Sequence, residues 1–150
     1  YDLPFGFPPM GGTALAAYDG DVVLAKAAAD LNTVMIQSGA ALTTMERVKE
    51  NGPTAWFQAY LPGDPSIITP VVERAQNAGF EVLALTVDVQ VSSNRENNLR
   101  TGFSSPLKPT PRLAWDCMLR PGWSLGTFAR TVMTRPRPNC SALSFIGDTP

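Results

Sequence analysis

Apolar and polar positions alternate along this chain in two registers, short continuous apolar runs and longer stretches with apolar residues every three or four positions. Leu3 to Phe7 is apolar and is followed by Pro8, Pro9, Gly11 and Gly12, the pattern of a strand entering a tight loop. Asp19-Gly20-Asp21 supplies a cap and N-terminal negative charge for a helix that carries Val22, Val23, Ala25, Ala28 and Ala29 and ends near Asn32. Thr33 to Ile36 predicts a second strand. Thr43-Thr44-Met45-Glu46 has the capping-box pattern for a short helix through Lys49, stopped by Asn51-Gly52-Pro53. A third strand is expected over Ala55 to Tyr60. Asp64-Pro65 opens a further helix unless Pro70, which would then lie in its interior, moves the start to Thr69-Pro70; either way Ala78-Gly79 closes it before a fourth strand. The order β, α, β, α, β, α, β with short connections argues for a parallel sheet or barrel with right-handed crossovers.

Two of the apolar runs stop at polar residues. Trp56-Phe57-Gln58-Ala59-Tyr60 and Val82-Leu83-Ala84-Leu85-Thr86-Val87-Asp88 read as buried parallel strands, so Gln58, Tyr60, Thr86 and Asp88 stand where core gives way to solvent or ligand. Open α/β sheets and barrels keep their active sites at that end of the strands. After Val89 the pattern changes. Gln90 to Arg112 is polar and Pro-rich, longer than an ordinary βα connection and expected to cross the site. Leu113 to Met133 predicts helix in two pieces broken at Pro121-Gly122, with Trp115, Leu119, Trp123, Leu125 and Phe128 for an apolar face.

Composition narrows the function classes. The 150 residues are 44% hydrophobic and 17% charged, a globular balance. A formal net charge of −1 and the lack of a dense Lys/Arg stripe give no electrostatic reason to expect nucleic acid, so small-molecule chemistry is favoured. Cys117 and Cys140 are too few for a disulfide framework, and no His/Cys cluster has metal-ligand spacing. No apolar run approaches the ~20 residues that span a bilayer.

With these elements in place, several segments resemble the FMN-dependent α-hydroxy-acid dehydrogenases and oxidases in order and spacing. They are Pro4 to Gly11, Asp19-Gly20-Asp21 with Leu24 to Ala28, Ser38 with Glu46, Trp56 to Tyr60, Ala75 to Phe80, Thr86-Val87-Asp88, and Arg95-Glu96 with Leu99-Arg100 and Gly102-Phe103. The resemblance spans nearly the whole chain and implies a (β/α)8 barrel with FMN at the carboxyl ends of the strands. It implies oxidation of a lactate- or mandelate-like L-2-hydroxy acid by hydride transfer to the flavin. The electron acceptor (oxygen, quinone or cytochrome) stays open, as does the state of assembly, with a homo-oligomer expected of the full-length protein. A cytoplasmic location is expected, with peripheral association to the membrane left open.

The resemblance also implies roles. The loop Pro9-Met10-Gly11 would lie against the isoalloxazine through its backbone, and Ser38, Gln58 and Thr86 would be polar flavin contacts. Tyr60 would bond the substrate oxygen, and Asp88 would hold a catalytic histidine and stabilise its protonated form. Arg95 would face the substrate carboxylate, where a guanidinium fork suits bidentate recognition. Ala40 occupies a position that carries a large aromatic in some members, which implies room for a bulkier substrate side chain. The residues alone leave bland readings open: Ser38 and Thr86 satisfying local backbone, Tyr60 snorkelling, Asp88 capping the next segment, Arg95 a solvated loop cation. Gln58 is harder to dismiss, since a buried amide in an aromatic strand needs partners at both ends or costs about 1–3 kcal/mol.

Departures from the family pattern carry equal weight. Pro8 stands where a small Ala is usual, Met10 and Gly39 replace more usual residues beside the flavin, and Pro70 interrupts a helix. The chain contains no histidine. A complete barrel typically needs ~250 residues and eight βα units, whereas four strands are expected here. The expectation is therefore a partial barrel, a fragment of one domain with βα units over 1–89 and an active-site loop and helical excursion over 90–150, inactive by itself. Another flavin- or phosphate-binding barrel enzyme, or a noncatalytic half-barrel, remains open on the residues alone.

Overall fold

The computed structural model describes residues 1–61, 63–87, 96, 100 and 110–134. Three parallel strands, β1 (Ile36–Ser38), β2 (Trp56–Ala59) and β3 (Leu83–Leu85), form a sheet in the order β1-β2-β3. They alternate with α2 (Gly20–Asp30), α3 (Met45–Asn51) and α4 (Pro65–Asn77), preceded by a short α1 (Thr13–Ala16) that the sequence pattern did not announce. This is the α/β alternation expected.

The strand expected over Leu3–Phe7 shrinks to a single parallel bridge, Phe7 opposite Met35. Pro4, Pro8 and Pro9 cannot donate to a ladder. Gly6 passes so close to Val34 that a Cβ would lie 2.4 Å from the Val34 carbonyl oxygen. The second strand begins later than expected, because the N–H groups of Leu31, Asn32 and Thr33 still satisfy carbonyls of α2. Pro70 does not set the start of α4. Pro65 opens the helix, with the Asp64 carboxylate accepting from Ser66 N–H at 2.9 Å, and Pro70 is carried inside it. Gly79 ends this unit at φ +89°, a conformation that favours glycine.

The capping box at Thr43–Glu46 does not form. Thr44 is the residue before α3 and its side chain makes no cap bond; Glu46 pairs instead with Arg74 of α4 at 2.8 and 3.0 Å. Asp19 likewise makes no side-chain cap and its carboxylate bonds Arg47. Both carboxylates thus tie neighbouring helices together.

Burial explains the layering. Phe57, Ala59, Met45 and Ala75 pack together, as do Ala25, Ala28, Met35, Val48 and Ala55, with Phe80 against both clusters. Gly52 lets α3 approach α2, since a Cβ there would meet Ala25 Cβ at 2.7 Å. Phe57 and Ala59 therefore face the helices, and strand period two turns Gln58 and Tyr60 to the other face. On β3 the register pairs Leu83 with Phe57 and Leu85 with Ala59, yet Leu83 and Leu85 are exposed. No described helix covers that part of the sheet.

The C-terminal described segment is helical and broken where expected. α5 (Pro111–Leu119) stops before Pro121, and α6 (Pro121–Trp123) runs through a π-helical stretch (Ser124–Ala129) into α7 (Arg130–Thr134). It returns to α1: Trp123 Nε1 donates to Leu15 O at 2.8 Å, Thr131 Oγ1 to Ala14 O at 3.1 Å, and the Arg130 guanidinium lies 4.0 Å from the Tyr18 ring centroid. This packing sets the segment beside the loop that follows Phe7.

Candidate functional site

Register places Ser38, Gln58 and Ala84 side by side across the three strands, and Thr86 lies two residues beyond Ala84 on the same face. Ser38 and Gln58 are buried. Gln58 joins the strands: its Oε1 accepts from Ser38 Oγ at 3.2 Å and from Gly39 N–H at 3.3 Å, and its Nε2 donates to Thr86 Oγ1 at 2.8 Å. The Gly39 N–H can only donate, so the carbonyl end of the amide must face β1 and its nitrogen β3. Ser38 Oγ in turn accepts from Ala40 N–H at 3.2 Å. The row is a continuous series of hydrogen bonds at the carboxyl ends of the strands.

What the row leaves over decides its chemistry. Ser38 spends its proton on Gln58, whereas Gln58 keeps a second N–H and Thr86, as an acceptor from Gln58, keeps its hydroxyl proton. Two donors remain uncommitted among the described contacts. Donors of this kind suit a ring that gains negative charge at its nitrogen and carbonyl oxygens, as a flavin does on reduction. The donor set therefore fits the pyrimidine edge of FMN. Gly39 is required by close approach: a Cβ there would lie 2.9 Å from the Gln58 backbone oxygen and 3.8 Å from Tyr60 Cδ2.

The remaining expected residues gather unevenly. Tyr60 is 42% exposed, with its ring edge near Gly39. Gly11 approaches Ala40, at 3.4 Å between the Ala40 Cβ and a Cβ built on Gly11, so the loop after Phe7 meets the loop after β1. Pro9 and Met10 on that loop are exposed, and Met10 O accepts from Thr13 Oγ1 at 3.0 Å. Asp88 and Arg95 lie outside the described residues. Glu96 and Arg100 pair with each other at 3.5 Å.

Behind the row stands a polar network that the sequence pattern did not single out. The buried Asp21 accepts from Thr43 Oγ1 at 2.6 Å, and Thr43 O accepts from Gln37 Nε2 at 2.9 Å. Gln37 Oε1 is buried without a partner among the described residues. Together these contacts anchor both ends of the loop from Ser38 to Thr43. The signal was a polar residue, Gln37, on the helix-facing side of a strand.

Comparison with known proteins identifies the family and a shared fold. A model of the family described as FMN-dependent dehydrogenase matches residues 1–146. The L-lactate oxidase of Lysinibacillus sphaericus is 37% identical over 110 residues, 72% of this chain and 28% of that protein. Among solved structures, (S)-mandelate dehydrogenase, described as a monotopic membrane protein, superposes with a TM-score of 0.76 at 30% identity, over 85% of this chain and 34% of its own. Mandelate oxidase with (S)-2-phenylpropionate superposes with a TM-score of 0.64 at 29% identity, over 68% of this chain and 30% of its own. The chain thus spans about a third of the length of the proteins it matches. The family match runs through the strand ends that carry the Ser38–Gln58–Thr86 row, and the chain belongs to the FMN-dependent dehydrogenase family.

Proposed function

We propose that this chain supplies the first βα units of a barrel enzyme that oxidises a small L-2-hydroxy acid to the 2-oxo acid with FMN. In this reading 1–89 and 90–150 belong to one domain. The observation that carries it is the Ser38–Gln58–Thr86 row, with Ser38 and Gln58 buried and Thr86 half-buried, which crosses three adjacent parallel strands at their carboxyl ends, on the face turned away from the helix-packed core. An amide bound at both ends is rigid, so the donors it leaves are already aimed when a ligand arrives.

The roles follow from that frame. Gln58 and Thr86 would hold the polar edge of the flavin, Ser38 would orient Gln58, and the backbone of Pro9-Met10-Gly11 would lie against the ring. The chemistry that FMN supplies when bound is acceptance of a hydride from the α-carbon. The Tyr60 hydroxyl would hold the substrate oxygen and Arg95 its carboxylate. Asp88 would orient the general base and favour its protonated form; with no histidine in these 150 residues, that base is expected from outside them. Ala40 leaves room for a lactate or mandelate side chain. A homo-oligomer and an acceptor among oxygen, quinone and cytochrome complete the proposal.

Location is part of the same reading. Among the described residues no helix is long and apolar enough to cross a membrane. The match to the monotopic (S)-mandelate dehydrogenase covers 85% of 150 residues, more than residues 1–109 can supply, so it extends into the C-terminal region that contains α5–α7. Peripheral, one-sided membrane association is therefore proposed for this protein.

FMN titration of the complete gene product tests the proposal, followed by anaerobic addition of L-lactate and L-mandelate. Stoichiometric binding and bleaching of the flavin absorbance by one of them is expected. A product that binds no FMN, or binds it and is bleached by neither acid, would overturn it.

A further inference from the structure

We propose that Asp21, Gln37 and Thr43 are positioning residues that fix the gap between the two loops flanking the site, and so the acid side chain it accepts; this rests on the function proposed above. The loop after Phe7 and the loop after β1 meet where Gly11 faces Ala40. A glycine and an alanine offer only backbone and one methyl, so that spacing must be set from the far ends of the loops. At one end of the Ser38–Thr43 loop stands Gln58, which binds Ser38 Oγ and Gly39 N–H. At the other end Thr43 is held through both of its polar groups: its hydroxyl donates to Asp21 at 2.6 Å, and its carbonyl accepts from Gln37 Nε2 at 2.9 Å. All three residues are buried.

Both loops hang from one junction. Asp21 lies in the first turn of α2, and the preceding Gly20 passes so close to α1 that a Cβ there would meet Thr13 Cγ2 at 2.8 Å and Thr13 O at 3.0 Å. Thr13 Oγ1 in turn donates to Met10 O, in the loop that carries Gly11. A shift of Thr43 away from Asp21 therefore moves Ala40 relative to Gly11 while β1 and β2 keep their register. Such a network serves position more than stability: its net gain over apolar groups of the same shape is small, but its directional bonds permit one arrangement. Gln37 carries the same mark. Its Oε1 is buried with no partner among the described residues, a cost that a leucine there would avoid, and the hydrogen bond it makes in return is the one to Thr43 O.

Amide hydrogen exchange and anaerobic flavin bleaching by increasing L-lactate or L-mandelate test this in the complete gene product loaded with FMN. The variants are Thr43→Val, the double variant Asp21→Ala/Thr43→Val, which leaves neither buried partner orphaned, Gln37→Leu, and Thr43→Ser, which keeps the hydroxyl. The amides of Gly39, Ala40 and Ala41 donate to Gln58 Oε1, Ser38 Oγ and Ser38 O, and in the first three variants they should exchange about tenfold faster, with β2 unchanged. The half-saturating acid concentration should rise about tenfold while the limiting bleaching rate stays within about twofold. The preference between the two acids should fall by about threefold. Thr43→Ser should match the wild type in all of these. Unchanged exchange at residues 39–41, or an unchanged half-saturation and preference, would overturn the assignment. So would faster exchange throughout the sheet with only a smaller FMN-bound fraction, which is the result of a merely structural role. A wild-type protein bleached by neither acid removes the function reading and this inference together; an active wild type whose variants bleach as it does removes this inference alone.

Discussion

Replacing Gln58 by Leu removes the amide that joins three strands while nearly conserving volume, so the cost reports polar contacts with little cavity term. Gln58 makes two acceptor contacts at 3.2 and 3.3 Å and one donor contact at 2.8 Å. Three bonds at about 0.5–1 kcal/mol each, with the Gly39 N–H left unpaired, give an expected loss of about 2–3 kcal/mol. Gln37→Leu is the matched control on the adjacent strand. It loses one bond, to Thr43 O at 2.9 Å, but also removes the buried Oε1 that has no described partner, so its net cost should be under about 1 kcal/mol. Urea unfolding followed by far-ultraviolet circular dichroism measures both, and equal m-values make the midpoints comparable. The difference between the two variants cancels what any Gln-to-Leu change contributes. A difference below about 0.5 kcal/mol, or one of opposite sign, would refute the idea that the row is a satisfied, rigid network.

Three further outcomes are expected. Gly39→Ala forces its Cβ to 2.9 Å from the Gln58 backbone oxygen and should cost about 1–3 kcal/mol in the same assay, whereas Gly63→Ala, with nothing within 4 Å, should be near neutral. The Arg74 side-chain hydrogen bond holds the Glu46 carboxyl below its usual range, against an opposing effect of burial. A depressed folded-state pKa gives stability that is present above the unfolded value and lost as pH falls through the folded one. The exposed pair is worth under about 1 kcal/mol, so Glu46→Gln should flatten the stability-pH curve slightly below pH 5 and leave its shape above pH 6 unchanged. Pro70→Ala restores an N–H in the interior of α4 and should raise the melting temperature, by no more than about 3 kcal/mol of stability; an unchanged or lower value would mean that the ring packs usefully there.

The path from residues to site was legible where local chemistry repeats. The runs ending at Gln58 and Thr86 carried both the strands and the polar face, because a short continuous apolar run favours a strand and a polar residue buried in one, as Gln58 is, must have partners; the second run, with Leu83 and Leu85 exposed, is not the buried strand that its pattern predicts. Gly79 before the last strand and Pro121 between α5 and α6 acted as read, since their backbone limits are local. The sequence did not reveal where carboxylates go when a distant cation competes with a cap. Glu46 and Asp19 have the right spacing to cap their helices, but Arg74 and Arg47, each 28 residues away, take them instead. Pro70 was misleading for a related reason: Asp64 and Pro65 start the helix strongly enough to carry a proline inside it.

By itself, the chain's pattern determined that strands and helices alternate, that the strands run parallel, and that polar residues collect at their carboxyl ends. These follow from hydrophobic period and turn chemistry, which act over a few residues. Only the tertiary structure decided that Gly39 must be glycine, that Ser38, Gln58 and Thr86 form one row, and that Asp21, Thr43 and Gln37 stand behind it. Each depends on strand register and on the approach of loops distant in sequence, and a register shift of one residue would turn every one of those side chains to the other face.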